Sequence, residues 1–427
     1  MRRMSPEPIR AARGVRDVLP ADLAAWSVVE RAAHAVCRLF GYQQIVTPIL
    51  EPVELIERGV GGQTDIVEKE LFRVRAREGG QELVLRPEGT AGTLRAYFEG
   101  GLDRGPQPAR LYLLGPMFRH DRPQKGRFRE FHQLSLEAIG DGSAALDAEV
   151  IEMGWTWLEN LGLNAVSLHL NSIGDAKCRP KYLQALVAYY EPLKAKLHPD
   201  CQRRLETNPL RLLDCKHPQC QPFKEHAPRI TDHLCDECAM AFAEVRRLLD
   251  AAQIEYVLDP FLVRGLDYYV RTAFEYQLDA HGGAQNALGG GGRYDGLAEL
   301  IGWPATPGVG LAAGIDRVVE SVLESGAEVV AEPAAQVLVL PDGEELDVSA
   351  AQVARIARTA VATAVDYTGK SLKAKMRGAN RLGVRWVALF NAAEAERRIV
   401  QLKEMATGEQ REVRWDELPA ALQVGVS

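Results

Sequence analysis

From Asp22 to Phe40 the apolar residues Leu23, Trp26, Val29, Val36 and Leu39 recur at helical spacing, three or seven positions apart, and Gly41 ends the run. That spacing is one face of a helix with a glycine stop. YQQIVTPIL, next along the chain, has strand character but contains Pro48, which suits an edge strand. ELVLRPEGTAGTLRAYFE predicts a strand from Glu82 to Arg86 that turns at Pro87 into a helix. RLYLLGPMFRH predicts a strand running into a charged loop. REFHQLSLEAIG predicts a second strand with Phe131, Gln133, Ser135 and Glu137 on one face. LDAEVIEMGWTWLENLG is an amphipathic helix that stops at glycine.

Between about Asn171 and Asp259 the texture becomes helical, charged and cysteine-bearing, as expected of an insertion into a strand-rich host. Strands return with RGLDYYVRTAFEYQ, Arg264 to Gln277, in which aromatic and charged residues crowd together. Simple alternation places Tyr268, Val270, Thr272, Phe274 and Tyr276 on one face, and Tyr269, Arg271, Ala273 and Glu275 on the other. Neither face is purely apolar, so a plain hairpin strand and a pocket wall are both open readings. QNALGGGGRYDGLAELIG and PGVGLAAGIDRVVESVLESG follow. Strands in runs, instead of strict alternation with helices, predict an antiparallel-rich α+β domain over residues 1–326, with the insertion at about 171–259. Residues 327–335 read as a small, acidic, proline-containing linker. Residues 336–427 predict a separate α/β domain: strand QVLVL, helices Ser349 to Ala364 and Ser371 to Leu382, then strands VRWVALF and IVQLKEM.

Length, 427 residues, allows two to four domains. No apolar run approaches the ~20 residues of a membrane span, and the basic N-terminus lacks the apolar stretch of a secretory signal. A cytoplasmic protein with no membrane partner is expected. The formal charge of −7 means that any nucleic acid must be held by local basic patches. One such patch is the acid-free run Lys370, Lys373, Lys375, Arg377, Arg381 and Arg385, which is either a solvated helix face or a polyanion contact. Of seven cysteines, Cys215, Cys220, Cys235 and Cys238 form C-x4-C and C-x2-C pairs. They fit a structural zinc site, or else four reduced thiols in a small loop-rich subdomain.

Three arginine-bearing segments carry the strongest chemistry. FRHDRPQKGRFREFHQ holds Arg119, Arg122, Lys125, Arg127 and Arg129 between two strands, a density of guanidinium groups suited to polyphosphate. GGGGRYDG allows close backbone approach, although a flexible hairpin would look the same. GLAAGIDRV puts small residues on a strand and Arg317 at the start of a helix, leaving room for a flat ligand. No phosphate-loop or dinucleotide fingerprint is present.

In this order, the segments resemble the three signature motifs of class II aminoacyl-tRNA synthetases. RGLDYY.RT.FE and GGGRYDGL resemble two further signatures of the histidyl-tRNA synthetase family, and VEKELF, LRPEGTAG and GPMFRH extend the resemblance over nearly the whole chain. The resemblance implies an antiparallel-sheet catalytic domain with a helical insertion and a C-terminal α/β anticodon-binding domain. It implies ATP-dependent joining of L-histidine to histidine tRNA through an enzyme-bound adenylate, with ATP taken as its Mg2+ complex. By resemblance, Glu88, Thr90 and Gln133 hold the substrate α-amino group, and Glu137 and Tyr269, with Tyr268 beside them, hold the imidazole. Arg119 meets the α-phosphate, Phe131 stacks on adenine, and Arg127 and Arg317 clamp the outer phosphates. Arg264 stands at the α-phosphate where related enzymes place a metal ion, so Arg119 and Arg264 are the expected catalytic cations and Arg264 also borders the histidine. Arg122 and Gln124 resemble contacts to the tRNA acceptor end, while Lys373 and Arg377 belong to the basic run of the second domain. Asp121 departs from the pattern, which has glutamate there.

The segment around Pro48 resembles the class II dimer-interface motif, so a homodimer is expected. Two other readings compete with the ligase. A regulatory paralogue that binds histidine beside ATP phosphoribosyltransferase typically lacks the second domain, and an RNA-binding module with a dead site would have lost some of the arginines.

Overall fold

The computed structural model describes residues 8–62, 64, 66–75, 80–121, 127–279, 286–326, 333–343 and 345–423. The chain divides into two compact units, Met1–Val329 and Val330–Ser427.

In the first unit, strands β1 (Gln43–Gln44), β2 (Leu50–Pro52), β3 (Arg73–Val74) and β4 (Leu83–Leu85) are short. The long ones are β5 (Ala109–Phe118), β6 (Glu130–Ile139) and β7 (Val166–Ser172). After β8 (Val257–Leu258) come β9 (Val270–Leu278), β10 (Ala287–Arg293) and β11 (Gly308–Gly314). Eight of these make one sheet in the order β1-β5-β6-β11-β10-β9-β7-β8. Its inner pairs are antiparallel, and only the marginal strands β1 and β8 pair in parallel. β2, β4 and β3 form a separate antiparallel sheet.

Alternation along β6 decides what each sheet face does. Leu134 and Leu136 join Phe274, Tyr276 and Leu311 in a core closed by helices Leu23–Leu39, Ala144–Asn160 and Ile315–Glu324. In the first helix the spacing of Trp26, Val29, Ala33 and Val36 puts all four into that core, each fully buried aliphatic contributing about 1.5–3 kcal/mol. The last insertion helix, Asp236–Ala251, packs Phe242, Val245 and Leu249 there as well, so the insertion is tied into the host. The rest of the insertion has its own core around Tyr182, Leu186, Tyr190 and Leu213. The opposite sheet face carries Tyr268, Tyr269, Ala273 and Tyr294, backed by helix Thr90–Glu99.

Three local expectations change. Residues 42–50 are not one strand: β1 joins the large sheet and β2 the small one, with Pro48, which has no N–H to offer a ladder, between them. Simple alternation also fails in RGLDYYVRTAFEYQ. Arg271 sits at φ +52° and the register against β10 slips between Gly292 and Arg293, so Tyr268 leaves the Phe274/Tyr276 face and joins Tyr269 and Ala273. In the second unit the expected helix to Ala364 ends at Ala357.

That second unit is a five-stranded sheet of β12 (Val337–Pro341), β13 (Thr363–Val365), β14 (Trp386–Phe390), β15 (Ile399–Glu404) and β16 (Gln410–Arg414). Its order is β13-β12-β14-β15-β16, parallel around β12 and antiparallel beyond β14. Helix Leu372–Leu382 carries most of the basic run.

Candidate active site

Strand β6 delivers Phe131, Gln133 and Glu137 along one line, and its neighbours make room for them. Glu137 lies opposite Gly310 of β11, where a Cβ would collide with its carboxylate. A Cβ at Gly290 of β10 would lie 2.6 Å from Arg264 Nη1. The glycine run is therefore an inner strand, paired with β9 and β11, that leaves space for Arg264 as Gly310 of β11 does for Glu137.

Around Glu137 the polar groups form a closed network. Thr90 Oγ1 donates to Glu137 Oε1 at 2.7 Å and the Tyr294 hydroxyl donates to Oε2. Glu88 accepts from the N–H groups of Thr90 (2.7 Å) and Ala91 (2.9 Å), at the start of helix Thr90–Glu99. Tyr268 packs against Tyr269 with ring centres 4.5 Å apart and against Tyr294 at 5.9 Å. Burial penalises the charged form of Glu137 and pushes its pKa from 4.5 to about 8, against the two hydroxyl bonds that favour the carboxylate. Burial raises Glu88 too, opposed by its backbone bonds and the Arg119 charge. Gln133 Oε1 and Arg264 Nε are buried and have no hydrogen-bond partner among the described residues, a costly state that a bound polar ligand would relieve.

Beside this network lies a cavity of about 390 Å³ lined by Arg119, Arg127, Phe131, Arg317, Asp121 and Glu70 among others. Arg119 is anchored by Nε donation to the Pro87 carbonyl at 2.9 Å, and its guanidinium sits 5.3 Å from the centre of the Phe131 ring. Arg317 donates to the Ala287 carbonyl at 2.8 Å. Arg264 is ion-paired with Glu275 at 2.8 Å and lies 5.8 Å from the Tyr269 ring centre. Asp121 pairs with Arg127 at 2.8 Å, so within this arrangement it positions a cation. A larger cavity of about 890 Å³ shares Arg127, Arg211 and Arg317 with it and adds Arg204, Lys216 and Lys224 from the insertion. The arrangement can hold a small zwitterion with a polar ring, and next to it a flat base with a polyanionic tail.

Arg122 and Gln124 lie outside the described residues. Lys373 and Arg377 belong to the second unit and are exposed on its helix, whereas Lys375 of the same run is buried and bonded to the Pro341 carbonyl at 2.9 Å. The set Cys215, Cys220, Cys235 and Cys238 is corrected by the structure. Cys215 and Cys220 gather with Cys201, while Cys235 and Cys238 gather with Cys178 and Asp175. The pairs are separated because Cys215 and Cys220 belong to the insertion's own core, whereas Cys235 and Cys238 open the helix that packs on the host. Sequence reasoning gave no role to Tyr294 or Glu275, although both stand in the two quoted signature segments, and none to Arg211, which no motif flags.

The family model described as Histidyl-tRNA synthetase matches residues 14–318, and that described as Anticodon binding domain matches residues 336–424. The histidine–tRNA ligase of Desulforamulus reducens is 45% identical over 407 residues, covering 95% of this chain and 97% of the relative. That of Desulforudis audaxviator is 45% identical over 410 residues, 96% and 97% of the two chains. The crystal structure of the apo histidyl-tRNA synthetase of S. aureus superposes with a TM-score of 0.81 at 34% identity, covering 97% of this chain and 99% of that one.

Proposed function

Because the chain belongs to the histidyl-tRNA synthetase family, we infer that the network around Glu137 receives histidine and the adjoining arginine-lined cavity receives ATP. The protein is a histidine–tRNA ligase with a class II catalytic fold and an anticodon-binding domain. A carboxylate oxygen of histidine attacks the α-phosphorus of ATP and pyrophosphate leaves. A ribose hydroxyl at the tRNA 3′ end then attacks the acyl carbon and AMP leaves.

In our reading, Glu88, Thr90 and Gln133 accept hydrogen bonds from the α-ammonium group, which has only donors to offer. The unpartnered Gln133 Oε1 is the observation that carries this assignment. Glu137 and Tyr269 meet the imidazole, with Tyr268 completing the wall. Arg119 and Arg264 face the α-phosphate, where charge grows during attack. Both are held by fixed partners, Pro87 and Glu275, so they act without reorganising. Phe131 stacks on adenine, and Arg127 and Arg317 take the outer phosphates of ATP, which arrives as its Mg2+ complex. Arg122 and Gln124 would meet the acceptor end of the tRNA, and Lys373 and Arg377 its anticodon arm. ATP–pyrophosphate exchange measured with each amino acid in turn tests the whole assignment: histidine alone should support it, and no exchange with any would sink it.

We also propose a homodimer formed through the segment that joins β1 to β2. Val46 there is 82% exposed and Ile49 and Leu50 are each over 40% exposed, and a partner chain would cover them. A monomer in sedimentation equilibrium would exclude it. We place the protein in the cytoplasm with its tRNA substrate, which cell fractionation checks. No helix among the described residues is long and apolar enough to cross a membrane.

A further inference from the structure

The insertion holds two clusters of thiols that the reaction does not use, and they differ in a decisive way. Cys201, Cys215 and Cys220 offer three sulfurs, with no fourth donor at comparable range among the described residues. Asp175, Cys178, Cys235 and Cys238 offer four donors, all within 4.8 Å of one another. We propose that this second cluster holds one zinc ion through three thiolates and one carboxylate oxygen of Asp175.

The spacing supports it. Tetrahedral Zn–S bonds of about 2.3 Å set sulfurs about 3.8 Å apart, and a Zn–O bond of about 2.0 Å sets the oxygen about 3.5 Å from each sulfur. Cys178 Sγ and Cys238 Sγ are 3.8 Å apart. Asp175 Oδ1 is 3.6 Å from Cys178 Sγ and 4.0 Å from Cys235 Sγ. A disulfide would need sulfurs at about 2.05 Å, and all seven cysteines are free.

Local structure is also suited to a closed site. Asp175 and Cys178 come from the turn after β7, where the Asp175 N–H donates to Cys178 Sγ at 3.3 Å, a bond that stabilises a thiolate. Gly174, at φ +64°, is needed there, since a Cβ would lie 2.7 Å from Cys178 Sγ. Cys235 and Cys238 open helix Asp236–Ala251, whose N-terminal dipole favours negative charge. Three thiolates and a carboxylate around a divalent ion leave net negative charge, and Arg271 lies 3.5 Å from Asp175 to offset it. Four protein donors close the coordination sphere, so the ion is structural. It would fasten the turn that Arg179 links to the Tyr269 carbonyl at 2.7 Å.

The test is metal analysis of the full chain purified under reducing, chelator-free conditions, with cobalt exchange as a second readout. About one zinc per chain should be present in the wild type and in Cys215→Ser, and absent from Cys178→Ser and Cys235→Ser. Cobalt should give tetrahedral thiolate absorption bands in the wild type and Cys215→Ser only. Asp175→Asn, which keeps the side-chain shape, should keep the native circular dichroism yet weaken zinc at least tenfold, roughly the least that losing even an outer-shell partner costs. Metal-free protein that takes up no cobalt would overturn the proposal. So would an ion released by Cys215→Ser but retained by Cys178→Ser, or an unchanged affinity in Asp175→Asn.

Discussion

Glu137 is the residue whose surroundings most alter its chemistry. Its pKa rises from 4.5 to about 8, so between these values the folded protein holds a proton that the unfolded chain has released. The sign follows: the unfolded state binds fewer protons there, and the contribution of Glu137 to stability falls as pH rises through that window. If the imidazole stays neutral and is met by a carboxylate, histidine binding at pH 7 must expel this proton. Calorimetry in buffers of different ionisation enthalpy should detect a proton release that Glu137→Gln abolishes, and equal release by both proteins would refute the coupling. The same substitution should weaken histidine by roughly tenfold to hundredfold, the worth of a charged hydrogen bond of about 1.5–3 kcal/mol. ATP affinity should stay within error, and equal loss for both ligands would show Glu137 misplaced. Arg264→Ala should leave folding intact and slow single-turnover adenylate formation by roughly 100- to 1,000-fold, the typical cost of one preorganised group. A near-normal rate would remove Arg264 from the α-phosphate.

Among the elements, helix Leu372–Leu382 separates two meanings of positive charge. Lys373, Arg377 and Arg381 recur every fourth residue and are exposed, so they form one stripe, with Lys370 just before it. Lys375, two residues from both Lys373 and Arg377, is 6% exposed and bonded to the end of β12. Charge reversal at Lys373 and Arg377 together should weaken tRNA binding and flatten its salt dependence, while leaving adenylation and the melting temperature unchanged. Reversal at Lys375 should instead lower the melting temperature, because a buried carboxylate would face the Pro341 carbonyl, at a cost of about 1–3 kcal/mol or more. Indistinguishable behaviour of the two variants in tRNA binding and melting would erase the distinction. Strand β9 shows why alternation alone misled. One residue at positive φ shifts the tyrosine pair relative to the strand behind it, and nothing in the composition of RGLDYYVRTAFEYQ announces that slip.

For the whole molecule, the two compact units predict separable functions. A chain ending at Gly326 keeps every residue assigned to histidine and ATP, so it should support pyrophosphate exchange. It lacks the second unit and should charge tRNA poorly. Each tRNA phosphate that the shortened chain no longer neutralises should also take roughly 0.9 off the logarithmic salt slope of duplex binding. A regulatory protein would charge tRNA in neither form. Charging by the shortened chain at the full-length rate would return the basic stripe to a solvated helix face.

Local pattern was enough for what depends on local physics. Periodicity placed the helix at Leu23–Leu39, and alternation set Gln133, Ser135 and Glu137 of β6 on the face away from helices Leu23–Leu39, Ala144–Asn160 and Ile315–Glu324. Motif order pointed to the family without any tertiary information. The sequence could not report which distant groups meet. Tyr294 reaches Glu137 across 157 positions and Cys178 meets Cys238 across 60. Glycines at 290 and 310 matter because side chains distant in sequence, Arg264 and Glu137, need their volume. Cysteine spacing suggested one four-thiol set, yet the chain path assigns its halves to different packing environments and supplies Asp175, which no cysteine count includes. Spacing is a property of the chain, whereas a pKa near 8, a ligand shell and a cavity depend on burial and on the meeting of distant segments, which only the folded sheet and its helices create.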